Sequence, residues 1–192
     1  MSSNDSVERQ KKGVSSFTLH DPETIFREIK LKEGDSFLDL GCGAGDYAFY
    51  ASRIVGLSGV VYAIDKWPEV ISMITSKVIS RGISNIKAMP CDITASLPLE
   101  DSSIDVCLLA TVLHIPDVVQ NIKNLLKEIR RILKSEGRIV VIEIKKEEMP
   151  FGPPMHLRLS PYDTESMISS NGFTKIRLTD LGYGYMIQFD RR

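Results

Sequence analysis

Three glycines at alternate positions, flanked by two acids, mark the stretch Phe37-Leu38-Asp39-Leu40-Gly41-Cys42-Gly43-Ala44-Gly45-Asp46. An apolar run leads into the glycines, and an amphipathic run follows from Tyr47. Glycine lets a backbone turn sharply and approach a ligand, because no Cβ stands in the way. The helix N-terminus beyond it presents unpaired amides. That cradle suits a nucleoside-containing ligand. Two further acids fall at comparable places: Asp65 closes Val60-Val61-Tyr62-Ala63-Ile64, and Asp92 follows Cys91 at the end of a third apolar run. Such carboxylates accept strong hydrogen bonds from hydroxyl or amino groups. Plainer roles are open to each: Asp39 as a partner for turn amides, Asp65 and Asp92 as helix caps or loop acids, Trp67 as core. His114, ahead of Ile115-Pro116-Asp117, is either a cap or a substrate-facing base.

The elements that position these residues follow from hydrophobic periodicity. Asp21 and Pro22 start a helix to Lys30. The opening strand ends at Leu40, and a helix runs from Asp46 to Val55. Gly59 to Asp65 is a strand, Trp67 to Arg81 a helix and Asn85 to Cys91 a strand. Ile104 to Ala110 is the fourth strand. Asp117 caps a long helix to Lys134, and Arg138 to Ile144 is the fifth strand. Met149 to Ser160, with Pro150, Pro153 and Pro154, reads as a long loop. A helix from Ser160-Pro161 to Asn171 follows, then two strands, Thr174 to Thr179 and Tyr183 to Phe189, joined at Gly182 as a hairpin in which Tyr183 and Tyr185 pack. The alternation predicts an α/β, three-layer, doubly wound sheet of mostly parallel strands with an antiparallel C-terminal hairpin strand. Residues 1–16 read as a flexible arm and residues 17–192 as a single domain.

Composition excludes little but is consistent. The chain has 192 residues, 43% of them hydrophobic and 26% charged, with a net charge of −1, so no large electrostatic footprint for nucleic acid is expected. The apolar run Val106 to Ile115 is too short to span a bilayer. The polar N-terminus lacks a signal-peptide core, which points to the cytoplasm. Cys42, Cys91 and Cys107 form no CxxC pair and have no histidine at zinc-ligand spacing, so they read as free thiols with no metal site. His20 and His156 read as surface or loop residues.

Gly41-x-Gly43-x-Gly45 departs from the dinucleotide fingerprint, because Asp46 stands where G-x-G-x-x-G requires glycine. As a set, LDLGCGAGD, AID, CD, LPLEDSSIDVCLLATVLH and LLKEIRRILKSEGRIVVIE resemble the successive motifs of class I S-adenosylmethionine-dependent methyltransferases, over about Leu31 to Glu143. Within that family the chain looks most like the small-molecule branch typified by quinone-biosynthesis enzymes. The resemblance implies a seven-stranded sheet, S-adenosyl-L-methionine as cofactor and a small-molecule or lipid-like methyl acceptor. It implies a cofactor site of Asp39, Gly41, Cys42, Gly43, Gly45, Asp65, Lys66, Trp67, Cys91, Asp92, Ile93, Ala110 and Thr111. In it Asp65 takes the ribose hydroxyls and Asp92 the adenine amino group. His114 is the candidate catalytic group, and the Met149 to Ser160 loop, with Phe151, Met155 and Leu157, closes the acceptor pocket together with the N-terminal arm. Neither an Asn/Asp-Pro-Pro-Tyr run nor a Pro-Cys nucleophile follows the fourth strand, which argues against nucleic-acid bases as acceptors. A nicotinamide-dependent oxidoreductase and a non-catalytic cofactor-binding protein are the alternative readings.

Overall fold

Ser36 to Leu40 (β1) places Leu38 and Leu40 on one face of a sheet and Phe37 and Asp39 on the other, and all four are buried. That double burial is the signature of a strand covered on both sides. The computed structural model describes residues 16–191. The remaining elements in chain order are α1 (Pro22–Ile29), α2 (Asp46–Val55), β2 (Val60–Asp65), α3 (Pro68–Ser80), β3 (Ile86–Pro90), β4 (Ile104–Ala110), α4 (Pro116–Gln120), α5 (Ile122–Ile132), β5 (Leu133–Ile144), α6 (Pro161–Ser169), β6 (Phe173–Asp180) and β7 (Gly184–Arg191). The predicted N-terminal arm, Ser16 apart, lies outside the described residues.

The seven strands order as β3-β2-β1-β4-β5-β7-β6. β1 to β5 are parallel, whereas β7 runs antiparallel to both β5 and β6. The predicted class and the antiparallel hairpin are therefore observed. On one face Ile25, Phe26 and Ile29 of α1, Ala48, Ala51 and Val55 of α2 and Ile71 and Ile74 of α3 pack against Phe37, Val61, Val106 and Val140. On the other, Leu125, Leu126, Ile129 and Ile132 of α5 and Ile168 of α6 pack against Leu38, Cys107, Ile139 and Ile187. Every parallel strand ends at the same edge, so the turns after β1, β2, β3, β4 and β5 gather there. In open α/β sheets this carboxyl edge is where ligands bind.

Caps fix several boundaries. Asp21 accepts from the amides of Glu23 and Thr24 at the start of α1, and Ser160 forms a capping box with Asp163 at the start of α6. The long helix expected from Asp117 to Lys134 is instead two, broken at Asn121. Asp117 is not its cap. Pro116 occupies the first turn, where a missing N–H costs nothing, and Ile115 holds the cap position. The strand expected from Arg138 begins at Leu133, with a register shift between the pairs Ile104–Leu133 and Val106–Arg138. A Cβ on Gly137 would lie 2.9 Å from the Ile104 carbonyl oxygen, so the strand is continued through Gly137 only because the side chain is absent.

The segment between β3 and β4 is tied to α5 by two side chains. Glu128 accepts from the Leu97 amide at 2.9 Å, and Arg131 donates to the carbonyls of Leu97 (2.9 Å) and Leu99 (2.8 Å) and to Asp101 (2.7 Å). Hydrogen bonds from Arg131, with help from the Leu97 amide, hold the Glu128 carboxyl down at about 2, against an ordinary 4.5. A depressed carboxyl stabilises the fold above its unfolded pKa, and that contribution is lost as pH falls from 4.5 toward about 2. We expect Glu128→Gln to lower unfolding free energy at pH 6 by ~1 kcal/mol. It should also flatten the acid limb, as read by urea unfolding at pH 6 and pH 3.

Candidate active site

The glycine turn is built by positive φ angles and anchored to the neighbouring strand. Gly41, Gly43 and Gly45 have φ of +81°, +48° and +80°, which side-chain-bearing residues seldom adopt. The amides of Gly41 and Cys42 both donate to the Ile64 carbonyl, at 2.8 and 2.9 Å. Gly43 donates to Asp65 Oδ2 at 3.0 Å, and Trp67 donates to Asp65 Oδ1 at 3.2 Å. One carboxylate thus fixes the tip of the cradle and the entry to α3. A Cβ on Gly43 would meet nothing within 4 Å, so the cradle opens outward there. On Gly41 it would lie 2.5 Å from Val112 Cγ1, in the turn that follows β4.

Asp39 lies behind this cradle, 1% exposed, with Oδ2 accepting from the Ala48 amide in the first turn of α2 at 3.1 Å. Burial raises its carboxyl to about 7, and the nearby charges of Asp65 and Asp46 push the same way. Burial likewise raises the thiols of Cys42 and Cys107 and the phenol of Tyr47. These thiols are therefore inert at neutral pH.

Beyond β2, Trp67 is half-buried, with the Lys66 ammonium 4.9 Å from its ring centre. It is not the core residue that its type suggests. The Cys91 amide donates to the Asp65 carbonyl, which holds the end of β3 beside that of β2. Asp92 is exposed and accepts from the Thr94 amide (2.9 Å) and hydroxyl (2.7 Å), bonds that hold its carboxyl below the usual range. Ile93 beneath it is buried.

After β4 the chain enters a strained turn. Thr111 has φ +56°, unusual for a β-branched residue, and its amide donates to the Ile142 carbonyl at 2.7 Å. Ala110 before it is buried. Ser16 Oγ lies 3.5 Å from the Thr111 hydroxyl and 3.3 Å from the Tyr47 hydroxyl, and Phe17 packs edge-on against the Tyr47 ring. The segment ahead of α1 thus lies against both α2 and the turn after β4.

His114 does not cap the following helix. Its Nδ1 is 3.0 Å from Glu143 Oε2, while Glu143 Oε1 accepts from the Leu113 amide at 2.8 Å. Glu143 is 1% exposed at the end of β5, and the His114 side chain is 17% exposed. Pairing Nδ1–H with the carboxylate leaves Nε2 as the accepting nitrogen. Sequence reasoning missed Glu143. Its signal is an acid inside the otherwise apolar run Ile139-Val140-Val141-Ile142-Glu143-Ile144, where a buried strand gives an unpaired carboxylate no place.

The segment leaving β5 forms a cleft of about 660 Å³ with Met149, Phe151, Pro153, Met155 and Arg158 among its walls. Arg158, 5% exposed, organises it by donating to the carbonyls of Pro153 and Phe151, both at 2.7 Å, and to those of Lys145 and Glu147. Phe151 packs edge-on against Tyr183, which is 55% exposed rather than packed within the hairpin, whereas Tyr185 is buried. Leu157 does not line the cleft. His20 corrects its expectation as well. It is buried, with Nδ1 at 3.1 Å from the Leu181 carbonyl and its ring against Gly184. His156 is exposed, as expected.

Residues 31–175 match a family described as a methyltransferase domain. The chain belongs to that family. It is 34% identical over 143 residues to the demethylmenaquinone methyltransferase of Lactococcus lactis, covering 71% of this chain and 54% of that protein. It is 29% identical over 143 residues to the enzyme of the same name from Bacillus subtilis, covering 73% and 59%. The chain therefore spans little more than half the length of these curated relatives. A SAM-dependent methyltransferase from Aquifex aeolicus superposes with a TM-score of 0.82 at 31% identity, covering 89% of each chain. A putative type 11 methyltransferase from Sulfolobus solfataricus superposes at 0.70 with 25% identity, covering 91% of this chain and 94% of that one. The site fits the cofactor of this methyltransferase family: an open glycine cradle at Gly43, a strand-end carboxylate at Asp65 and a second acid at Asp92, all on one sheet edge. No helix among the described residues is long and apolar enough to cross a membrane.

Proposed function

We propose that this chain transfers the methyl group of S-adenosyl-L-methionine to a small-molecule or lipid-like acceptor in the cytoplasm, with no nucleic-acid partner. The observation that carries the reading is the convergence of the glycine cradle, Asp65 and the Glu143–His114 pair on one edge of the sheet. Relatives named demethylmenaquinone methyltransferases support such an acceptor. A nicotinamide-dependent oxidoreductase finds no support, since the family match and the superposed structures are methyltransferases.

Bound in the cradle, the cofactor would supply an electrophilic methyl carbon, which the acceptor would attack in line as the carbon–sulfur bond breaks and the neutral thioether leaves. The protein's work is then to orient and to dry the reacting groups. The open face of the turn at Gly43 and Ala44 would take the methionyl end, the Gly41, Cys42, Gly43 and Gly45 amides being paired within the protein. Asp65 would accept from the ribose hydroxyls and Asp92 from the adenine amino group, with Trp67 available to the adenine face. Cys42, Lys66, Cys91, Ile93, Ala110 and Thr111 complete the wall. The cleft formed by Phe151 and Met155 receives the acceptor's apolar part. His114 Nε2 takes the acceptor proton as the new bond forms, while Glu143 holds Nδ1–H and stabilises the imidazolium.

The test is incubation of the purified chain with methyl-labelled cofactor and a small-molecule extract, with products read by mass spectrometry. Label must appear in an organic product; binding of the cofactor without any transfer would overturn the reading. His114→Gln should slow transfer by ~10²–10⁴-fold and leave cofactor affinity unchanged.

A further inference from the structure

Three carboxylates, Asp39, Asp46 and Asp65, surround the glycine cradle, and among the described residues none forms a salt bridge. Asp39 is the buried one. The groups facing it are Asp65 at the end of β2, Asp46 and Tyr47 of α2, Cys42 of the turn and Cys107 of β4. None of these carries positive charge. The Ala48 amide is the hydrogen-bond partner of its carboxyl. The full charge of Asp39 is thus disfavoured until something cationic enters the cradle.

The methyl donor is such a group. Its ammonium and carboxylate cancel, and the sulfonium leaves a net positive charge; after methyl transfer the thioether product has none. We propose that Asp39 is the residue by which the cradle distinguishes these two ligands. It gives up a proton to solvent as the charged donor binds and recovers one once methyl transfer leaves the neutral thioether. The proposal rests on placing the cofactor over the glycine turn. No contact between Asp39 and ligand is required, because at low local dielectric an unscreened charge acts over several ångströms. Burial, which raises the Asp39 carboxyl to about 7, brings such linkage into the neutral range.

Isothermal titration tests this with S-adenosylmethionine and S-adenosylhomocysteine on the full chain, at pH 6.0 and 7.5, in phosphate and in Tris. The two buffers differ in ionisation heat and so count the protons released. Affinity for the sulfonium ligand is expected to rise about three- to tenfold between these pH values, with about half a proton released near pH 7. Affinity for the thioether should rise by less than twofold. The sulfonium makes the donor's own amine less basic than the thioether's, so the contribution of Asp39 is the part of the pH dependence that Asp39→Asn removes. Asn at position 39 retains the acceptor for Ala48, and this variant should lose most of the pH dependence of the ratio and of the proton release. That variant should also melt higher than the wild type above pH 7. A carboxyl raised to about 7 costs stability as pH climbs from 3.8, and the amide removes that cost. Tight sulfonium binding with no proton release overturns this inference alone, as does an Asp39→Asn variant that keeps the wild-type pH dependence. No binding of either ligand by the folded chain overturns the cofactor placement and the inference with it.

Discussion

Asp65→Ala should weaken S-adenosylmethionine binding by ~10²–10⁴-fold while leaving a folded protein. The size follows from the role proposed for the carboxylate. Two charge-assisted hydrogen bonds to ribose hydroxyls would contribute ~1.5–3 kcal/mol each, or ~3–6 kcal/mol together. The same oxygens already accept from Gly43 and Trp67, so alanine also frees the turn that forms the cradle. The cost in stability is smaller, ~1–2 kcal/mol, because both amides lie at an edge that water can reach. Asp65→Asn keeps one acceptor oxygen, for either the Gly43 or the Trp67 amide, and sets an NH2 against the other, so it should fall between wild type and alanine in both affinity and stability. Titration calorimetry reads the affinities, and urea unfolding reads the stabilities. Equal affinity for wild type and alanine variant would remove Asp65 from the site, whatever became of the fold.

The sheet was legible because burial on both faces leaves near-continuous apolar strands, and β1 and β2 end in glycine or acid at one edge. Phe37 to Leu40 and Val106 to Ala110 read correctly for that reason. What failed depended on contacts between elements distant in sequence. The early start of β5 at Leu133 comes with its pairing to Ile104, which local helical periodicity in residues 122–132 does not reveal. His114 and Glu143 lie 29 residues apart, and strand order brings them together. His20 looked like a loop histidine because its burial is supplied by Leu181 and Gly184, at the far end of the chain. Arg158 carries the same lesson. Nothing in the sequence singles it out within the loop, yet it is the donor around which that stretch folds. The glycine cradle was the easiest part to see, since both its geometry and its residue types are local. The cleft after β5 was the hardest, because its walls are ordinary residues whose placement depends on one buried guanidinium.

Gly41→Ala is the second large effect, and it joins the cradle to the turn after β4. The new methyl group would lie 2.5 Å from Val112 Cγ1, on a backbone with φ +81°. Two costs add: ~1–2 kcal/mol for a side chain in the left-handed region, and ~1–3 kcal/mol for overpacking against a buried valine. The expected loss is therefore ~2–5 kcal/mol of stability in urea unfolding, with a drop of more than tenfold in cofactor affinity as the turn shifts. Val112→Ala alone should cost ~1–2 kcal/mol by leaving a small cavity. Combined with Gly41→Ala it removes the clash but not the backbone strain. The double variant should then be less destabilised than the sum of the singles by ~1–3 kcal/mol. The same coupling bears on function. Val112 follows Thr111, which is itself held at φ +56°, and precedes Leu113, whose amide binds Glu143. A glycine turn displaced against Val112 thus pushes on the segment that seats His114. If the two turns form one packed unit, the double variant recovers both cofactor affinity and methyl transfer relative to Gly41→Ala. Recovery of stability without recovery of either would mean that the contact only fills space.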